Sequence, residues 1–212
     1  MKPGPRRSIS QADIVDAAFD ILERKGFAAV SVRGVAAALG LTPTAMYTYF
    51  PSKNALLRAM VEQLLSTIDL GAASDAEVAW RDRVHALAAA LRSRLGEHAG
   101  AMVLVTSGPL DGPHALALDE VLIAGFTSER MPLADAARAA RAVRAQVLGA
   151  AALDAAERAG GASADAERAA LWSDATAYPL TEAAAALGPD DDAGFIWALD
   201  RLLDGFASVS TR

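Results

Sequence analysis

Apolar residues recur along the chain at spacings of three and four residues, which is the pattern of amphipathic helices. A capping box at Ser10 and Asp13 predicts the start of the first helix, and Gly26 predicts its end. The apolar stripe between them consists of Ile14, Ala17, Ala18, Ile21 and Leu22. About nine or ten segments of this kind are legible, and none alternates with the period of a strand. The pattern therefore predicts an all-α fold.

The stretch from Ser31 to Lys53 predicts two short helices joined by a tight turn. Ser31 is a suitable N-cap for the first helix, and Gly40 breaks it. Thr42 is a suitable N-cap for the second helix, which Pro43 opens at a position where a missing N–H costs nothing. A helix, a glycine turn and a second helix together form a helix-turn-helix.

The outward side chains of the second helix suit contact with DNA. Those that point away from its apolar side are small, and they can approach base edges in the major groove: Pro43, Thr44, Ala45 and Thr48. Hydroxyl and ammonium donors lie along its flank and suit phosphate oxygens: Tyr47, Tyr49, Ser52 and Lys53. The stretch is therefore interpreted as a DNA-reading unit.

Roughly residues 1–65 resemble the DNA-binding domain of the TetR (tetracycline repressor) family. The residues that carry the resemblance are Gly26-Phe27, Ser31-Val32-Arg33, Ala36, Leu39-Gly40-Leu41, Met46-Tyr47-Thr48-Tyr49-Phe50, Lys53, Leu56 and Leu57. The run from Tyr47 to Leu57 is specific, whereas a glycine turn alone also occurs in ordinary helical hairpins. The alternative interpretation is such a hairpin packed in a helical core.

The resemblance implies a role for each matching position. Base-facing positions of the family match Arg33, Pro43, Thr44, Ala45 and Thr48. Phosphate-contacting positions match Ser31, Tyr47, Tyr49 and Lys53, and buried packing positions match Ala36, Met46 and Phe50. Because the base readers vary within such a family, their identity does not reveal the operator.

The charge distribution agrees with a DNA-binding N-terminus. The net charge is −6, yet residues 1–58 hold eight Lys and Arg residues against four acids. A basic end on an acidic body is typical of a protein that presents one end to a polyanion. Lys2, Arg6 and Arg7 lie on an arm of residues 1–8, rich in Pro and Gly, which we expect to be disordered in the free protein. The arm either contacts DNA or has no role.

Composition argues against several other classes of protein. The chain has no cysteine, and therefore no disulfide or thiolate metal site. No apolar run reaches the roughly 18 residues of a membrane span, and the N-terminus does not resemble a signal peptide, so a cytoplasmic location is expected. Neither a metal-binding histidine pair nor a catalytic constellation is recognisable. We therefore predict no cofactor, no metal, no membrane contact and no enzymatic activity.

Residues 71–74 are the predicted boundary between an N-terminal domain (1–70) and a larger helical domain (71–212). Ser74 and Glu77 match a second capping box, which predicts a helix start there. Further on, the helix that follows Pro113 is apolar on nearly every side, and this predicts that it is buried.

Two helices near the C-terminus are candidates for dimerisation. An alanine-rich helix is predicted from Pro132 to Ala159, ending at Gly160-Gly161, and a less regular one from Ala164 to about Tyr178. The last helix is predicted to begin after three aspartates at 190–192. The resemblance implies that the alanine-rich helix and the last helix form a four-helix bundle with a second subunit, through Val143, Val147, Phe195, Leu199, Leu202 and Phe206.

The C-terminal domain also offers residues for an apolar ligand pocket. These candidates are Trp80, His85, Leu87, Leu91, Met102, Leu122, Phe126, Val147 and Trp172. His98 lies near the position where tetracycline-binding members of the family hold a metal-contacting histidine, but its neighbours differ, so that role is not carried over.

The sequence therefore favours a homodimeric repressor that binds a palindromic double-stranded DNA operator and responds to an apolar small-molecule effector. Such an effector would favour a conformation that does not fit the operator. Two alternatives remain at this point. The C-terminal domain can bind a protein partner rather than a small molecule, or the chain can be an all-α enzyme with an incidental helical hairpin.

Overall fold

The structure, a computed structural model, describes residues 9–98, 100–172, 178–185 and 192–209. Side chains within these ranges are described except at 159–172, 185, 208 and 209. The described part is helical and contains no strand, which confirms the predicted all-α class. Besides a short 3₁₀ helix at Phe27–Ala29, its helices are α1 (Gln11–Lys25), α2 (Val32–Ala38), α3 (Pro43–Tyr49), α4 (Lys53–Ser66), α5 (Gly71–Ser74), α6 (Trp80–Gly96), α7 (Ala101–Ser107), α8 (Pro113–Thr127), α9 (Leu133–Trp172), α10 (Pro179–Ala185) and α11 (Asp192–Val209).

The helices form two compact units, and the chain passes from one unit to the other three times. The first unit comprises residues 1–71 and 93–121, and the second comprises 72–92 and 122–212. The end of α6, α7 and the start of α8 thus belong to the same unit as α1–α4. The division into domains 1–70 and 71–212 stays a prediction.

Local capping shapes the first unit. The capping box at Ser10 and Asp13 is present, and Ser31 accepts a hydrogen bond from the Gly34 N–H at 3.0 Å. Thr42 and Ser52 cap α3 and α4 in the same way. Each cap satisfies an N–H that lacks a partner within its helix, which explains why these helices begin where they do.

Helix α4 is joined to the N-terminus of α8 within the first unit. The Glu62 carboxylate accepts hydrogen bonds from the N–H groups of His114 (2.7 Å) and Ala115 (3.2 Å), which lie in the first turn of α8. One turn earlier on α4, Arg58 binds Asp111 through two bonds of 2.6 and 2.7 Å. Hydrogen bonds from this guanidinium hold the pKa of the Asp111 carboxyl below its ordinary value. The support of the helix-turn-helix is therefore fixed at two successive turns.

The second unit is built around α6, α8, α9 and α11. Phe126 packs against Trp80 and Phe206, with ring centroids 5.6 and 5.8 Å apart. Helix α9 contributes a buried stripe of small and branched residues, namely Ala136, Ala139, Ala140, Val143, Val147 and Ala151. An ion pair joins Arg81 to Asp204 and a hydrogen bond joins His85 to Asp200, each at 2.8 Å, and both connect α6 to α11. None of the helices within the described residues is long and apolar enough to cross a membrane.

Two predicted helix ends are wrong. The expected capping box at Ser74 is absent because Ser74 ends the short helix α5; the Glu77 N–H instead binds the side chain of Asp75 at 2.9 Å, and α6 begins at Trp80. Helix α9 does not stop at Gly160-Gly161 but continues to Trp172. Glycine costs only about 1 kcal/mol inside a helix, and the alanine, glutamate and arginine residues around this pair are strong helix formers.

Two further expectations for the C-terminal helices need correction. Helix α8 is not buried on all sides, since Leu116 is 55% exposed. Leu118, Leu122 and Phe126 are buried. The region predicted as a separate helix from Ala164 belongs to α9 as far as Trp172, and Pro179 opens α10 instead of marking a limit. Proline fits this position because the first helical N–H has no intrahelical partner.

Candidate nucleic-acid interface

The turn between α2 and α3 is closed by two backbone hydrogen bonds. The Leu41 N–H binds the Ala36 carbonyl at 2.9 Å, and the Gly40 N–H binds the Ala37 carbonyl at 3.3 Å. This is the Schellman arrangement, and it needs the positive φ of +64° that Gly40 adopts. Thr42, two residues after Gly40, is the N-cap of α3, so α3 begins immediately after the turn.

Helix α3 is held by its buried side and presents the opposite side to solvent. Met46 and Phe50 are buried in the first unit. Four of the predicted base readers are exposed, namely Arg33, Pro43, Thr44 and Thr48, whereas Ala45 is half-buried. The Thr48 hydroxyl donates to the Ala45 carbonyl at 2.6 Å, which leaves its oxygen free to accept and its methyl group free to contact a base.

A cleft of about 440 Å³ lies beside α3, at the N-terminus of α4. Its lining includes three of the predicted phosphate-contacting residues together with one predicted base reader, and consists of Ser31, Val32, Arg33, Tyr47, Pro51, Ser52 and Lys53. No acidic residue lines it. Two cations, the Tyr47 hydroxyl and the positive end of a 14-residue helix therefore converge on one concave surface. That combination suits a phosphate oxygen.

Tyr49 occupies a different place. Its hydroxyl donates to the Ile9 carbonyl at 3.1 Å, and its own carbonyl accepts a hydrogen bond from the Gln11 side chain at 3.3 Å. Tyr49 thus connects the end of α3 to the residues just before α1. Because this hydroxyl donates its one proton within the protein, a contact of Tyr49 with a phosphate would require that hydrogen bond to break. The arm residues Lys2, Arg6 and Arg7 lie outside the described residues.

Replacing Tyr49 by phenylalanine tests this placement. The change removes one hydrogen bond to a carbonyl and should lower the free energy of unfolding by about 0.5–1.5 kcal/mol. The affinity for DNA should stay within about threefold of the native value, because the change leaves the cleft beside α3 and the predicted base readers intact. Urea denaturation and a binding titration measure the two quantities. A large loss of affinity with unchanged stability would return Tyr49 to the phosphate-contacting set.

The predicted dimer-interface residues are mostly buried within one chain. Val143, Val147, Phe195 and Leu199 belong to the core of the second unit, and Leu202 and Phe206 are half-buried. Other apolar side chains of α9 and α11 are exposed instead: Leu153 by 68%, Ile196 by 49% and Trp197 by 66%.

The predicted pocket residues are also mostly core. In the second unit, Leu87, Leu91, Leu122, Phe126 and Val147 are buried, Trp80 packs at a tilt against Phe126, and His85 binds Asp200. Met102 belongs to the first unit, and the side chain of Trp172 lies outside the described residues.

The second unit does contain a cavity of about 260 Å³ beside α9 and α11. It shares no residue with the predicted pocket set and is lined by Arg92, Gln146, Gly149, Ala150, Leu153, Asp154, Glu157, Gly194, Phe195 and Ala198. His98, to which no metal-binding role was carried over, binds Glu23 at 2.8 Å and packs at a tilt against Phe19 in the first unit.

Comparison with known proteins identifies the family. The family model of bacterial regulatory proteins of the tetR family matches residues 14–60, and that of the tetracyclin repressor-like C-terminal domain matches residues 73–210. The chain belongs to the TetR family. A TetR-family protein of this kind is a DNA-binding transcriptional regulator and not an enzyme.

Individual relatives agree with this membership. The chain is 32% identical over 141 residues to an HTH-type transcriptional regulator of Saccharopolyspora erythraea, a match that covers 66% of this chain and 59% of that protein. The match thus spans less than two thirds of this curated relative. A possible TetR-family regulator from Streptomyces coelicolor A3(2) is 28% identical, with a TM-score of 0.81 over 94% of this chain and 100% of the other. BioQ in complex with its natural double-stranded DNA operator is 26% identical, with a TM-score of 0.67 over 95% and 99%.

Proposed function

We propose that this TetR-family regulator is a homodimeric repressor that acts in the cytoplasm, binds a palindromic operator and releases it when a small molecule binds the C-terminal domain, residues 71–212. The observation that carries the DNA-binding part is the acid-free cleft at the N-terminus of α4 beside the exposed side of α3. Ser31, Tyr47 and Lys53 contact phosphates there, and the residues that read bases are Arg33, Pro43, Thr44, Ala45 and Thr48.

Two considerations support a dimer. One helix of seven residues contacts few bases, and a two-fold dimer doubles the contacts on an inverted repeat. Helices α9 and α11 pack on each other through buried residues, yet Leu153, Ile196 and Trp197 remain exposed on them. A second copy that covers these side chains would complete a four-helix bundle and remove their apolar surface from water.

Selection of bound sequences from a random duplex pool tests the proposal. The full chain should enrich an inverted repeat whose half-sites lie about one helical turn (34 Å), or a multiple of it, apart. On the selected duplex, the logarithm of affinity should fall with the logarithm of salt concentration by about 0.9 for each phosphate contacted. Sedimentation of the complex should give two protein chains for each duplex. A chain that enriches no sequence at low salt contradicts the proposal.

Thr44→Ala should change base preference more than stability. Thr44 is exposed near the start of α3, and its side chain makes no hydrogen bond within the described part of the chain. Loss of its hydroxyl and methyl groups should alter discrimination at one position of each half-site by about 1 kcal/mol. Repeating the selection with the variant measures this effect. As a control, Thr106→Ala removes an exposed threonine of α7 and should leave the selected sequence unchanged.

A further inference from the structure

Arg83 differs from the other arginines of α6. Three of the four pair with an acid: Arg81 with Asp204, Arg92 with Asp154 and Arg94 with Glu97. Arg83 has no carboxylate partner within the described chain. Its guanidinium makes a single side-chain hydrogen bond, from Nη2 to the Ser128 hydroxyl at 3.2 Å, and its Nε is buried with no acceptor. A buried N–H donor that is left unpaired is unusual, and it calls for an acceptor.

The same edge of the guanidinium holds carboxylates elsewhere in this molecule. Arg58 binds Asp111 through Nε and Nη2 at 2.6 and 2.7 Å, and Arg92 binds Asp154 through the same two atoms at 2.8 and 3.0 Å. The parallel N–H groups of this edge match the two oxygens of one carboxylate. At Arg83 the edge meets only a hydroxyl.

The helix that carries Arg83 and the helix that leads to Ser128 also carry an aromatic cluster. Trp80 lies one turn earlier on α6 and packs against Phe126, which is two residues before Ser128. Phe206 packs edge-on against the other side of Phe126. Arg83, which has no carboxylate partner within the described chain, thus follows Trp80 by one turn on the same side of α6. This combination is complementary to a molecule with an acidic group at one end and a flat apolar body.

We propose that Arg83 binds the carboxylate of the effector and that the effector is an aromatic carboxylic acid. Ser128 positions the guanidinium, because its hydroxyl accepts from Arg83 while donating to the Gly125 carbonyl at 2.7 Å. This inference rests on the proposed function, in which a small molecule binds the C-terminal domain. It replaces the expected apolar effector with an amphiphilic anion.

The burial of Nε also connects this site to regulation. A carboxylate reaches the Nε and Nη2 edge only after neighbouring side chains move, since Nε is covered. The acid therefore binds the opened conformation more tightly than the closed one. Such a difference in affinity between two states is what a ligand needs in order to shift their populations.

The test compares an acid with its neutral amide on the full chain in the absence of DNA. The probes are 1-naphthoate and 1-naphthamide, which share one aromatic body and differ in charge, and calorimetric titration at neutral pH gives their affinities. The native chain should bind the acid at least about tenfold more tightly than the amide. Arg83→Met keeps the length of the side chain and should abolish this preference. Arg83→Lys keeps the positive charge but lacks the two parallel N–H donors, and it should retain only part of the preference for the acid.

Arg81→Met is the matched control, since it removes a neighbouring arginine of the same helix whose carboxylate partner, Asp204, is known. This variant should retain the preference for the acid. The inference is overturned if the native chain binds acid and amide equally, if Arg83→Met retains the preference, or if neither probe binds at millimolar concentration. The first and third outcomes need no variant, so a misfolded Arg83→Met chain does not block the test.

The two proposals fail separately. A chain that selects an inverted repeat but does not distinguish the acid from the amide keeps the DNA-binding function and loses this inference. A chain that selects no duplex but binds the acid through Arg83 keeps the carboxylate site and loses the repressor.

Discussion

Phe126→Ala is expected to lower the free energy of unfolding by about 3–5 kcal/mol. The side chain is 1% exposed and lies between two other aromatic rings, Trp80 and Phe206, which come from α6 and α11. Truncation removes the apolar contact and leaves a cavity that rings on separate helices cannot fill by small shifts. It also removes two aromatic pairs, each contributing about 0.5–1.5 kcal/mol beyond burial.

Leu133→Ala provides the control for Phe126→Ala. Leu133 begins α9 and is 68% exposed, so its truncation should change stability by no more than about 0.5 kcal/mol. Both variants are measured by urea denaturation at one fixed protein concentration, because dimerisation would make stability depend on concentration. A loss below about 1 kcal/mol for Phe126→Ala would show that the three rings are not a cooperative part of the core.

The elements that sequence reasoning predicted correctly depend on local interactions. Each of the four N-caps Ser10, Ser31, Thr42 and Ser52 binds a backbone N–H three residues ahead. The glycine turn at Gly40 likewise closes within six residues. Caps and turns of this kind depend on residue types with strong conformational preferences at short, fixed spacings. They can therefore be predicted without knowledge of the tertiary structure.

The two helix ends that were predicted wrongly show the limit of local signals. Gly160-Gly161 has the composition of a helix stop, but the preference it expresses is only about 1 kcal/mol for each residue, and the continuous helix outweighs it. Ser74 has the side chain of an N-cap but ends a preceding helix, and Asp75 caps the turn in its place. Weak preferences are decided by the neighbouring structure.

The same difference between local and long-range contacts separates the parts of the candidate sites that the sequence predicted from those it did not. The cleft is made of residues 31–33, 47 and 51–53, which are close in sequence and belong to one motif, so the motif predicts most of its lining. The bond from Tyr49 to Ile9 spans 40 residues and that from Arg83 to Ser128 spans 45. No spacing rule connects residues so far apart.

Sequence reasoning also cannot identify which apolar side chains of a helix are left for a partner to cover, because this depends on tertiary packing. Periodicity predicts that α11 has an apolar stripe, but the stripe contains residues that face its own unit and residues that do not. Phe195 and Leu199 are buried in the chain, whereas the adjacent Ile196 and Trp197 are exposed. Only the packed structure separates the two sets.

The double variant Tyr47→Ala/Lys53→Ala is expected to lower affinity for the selected operator by more than about a hundredfold, or roughly 3 kcal/mol. Both residues line the cleft, and a hydrogen bond to a charged group is worth about 1.5–3 kcal/mol, so losses in two half-sites exceed this bound even where water partly replaces each contact. The salt slope should fall by about one unit for each Lys53 removed, hence by about two in a dimer. Stability should change little, because Tyr47 is 46% exposed and Lys53 is exposed.

Arg138→Ala removes the same single positive charge from the second unit and separates local contact from net charge. The Arg138 side chain is 77% exposed on α9. If the double variant acts only by making the chain more acidic, Arg138→Ala should reduce the salt slope by the same amount. If the cleft binds phosphate, the control should leave the slope unchanged, and the double variant should weaken selected and scrambled duplexes by a similar factor. A folded double variant with native affinity and slope would contradict the assignment of the cleft to the DNA interface.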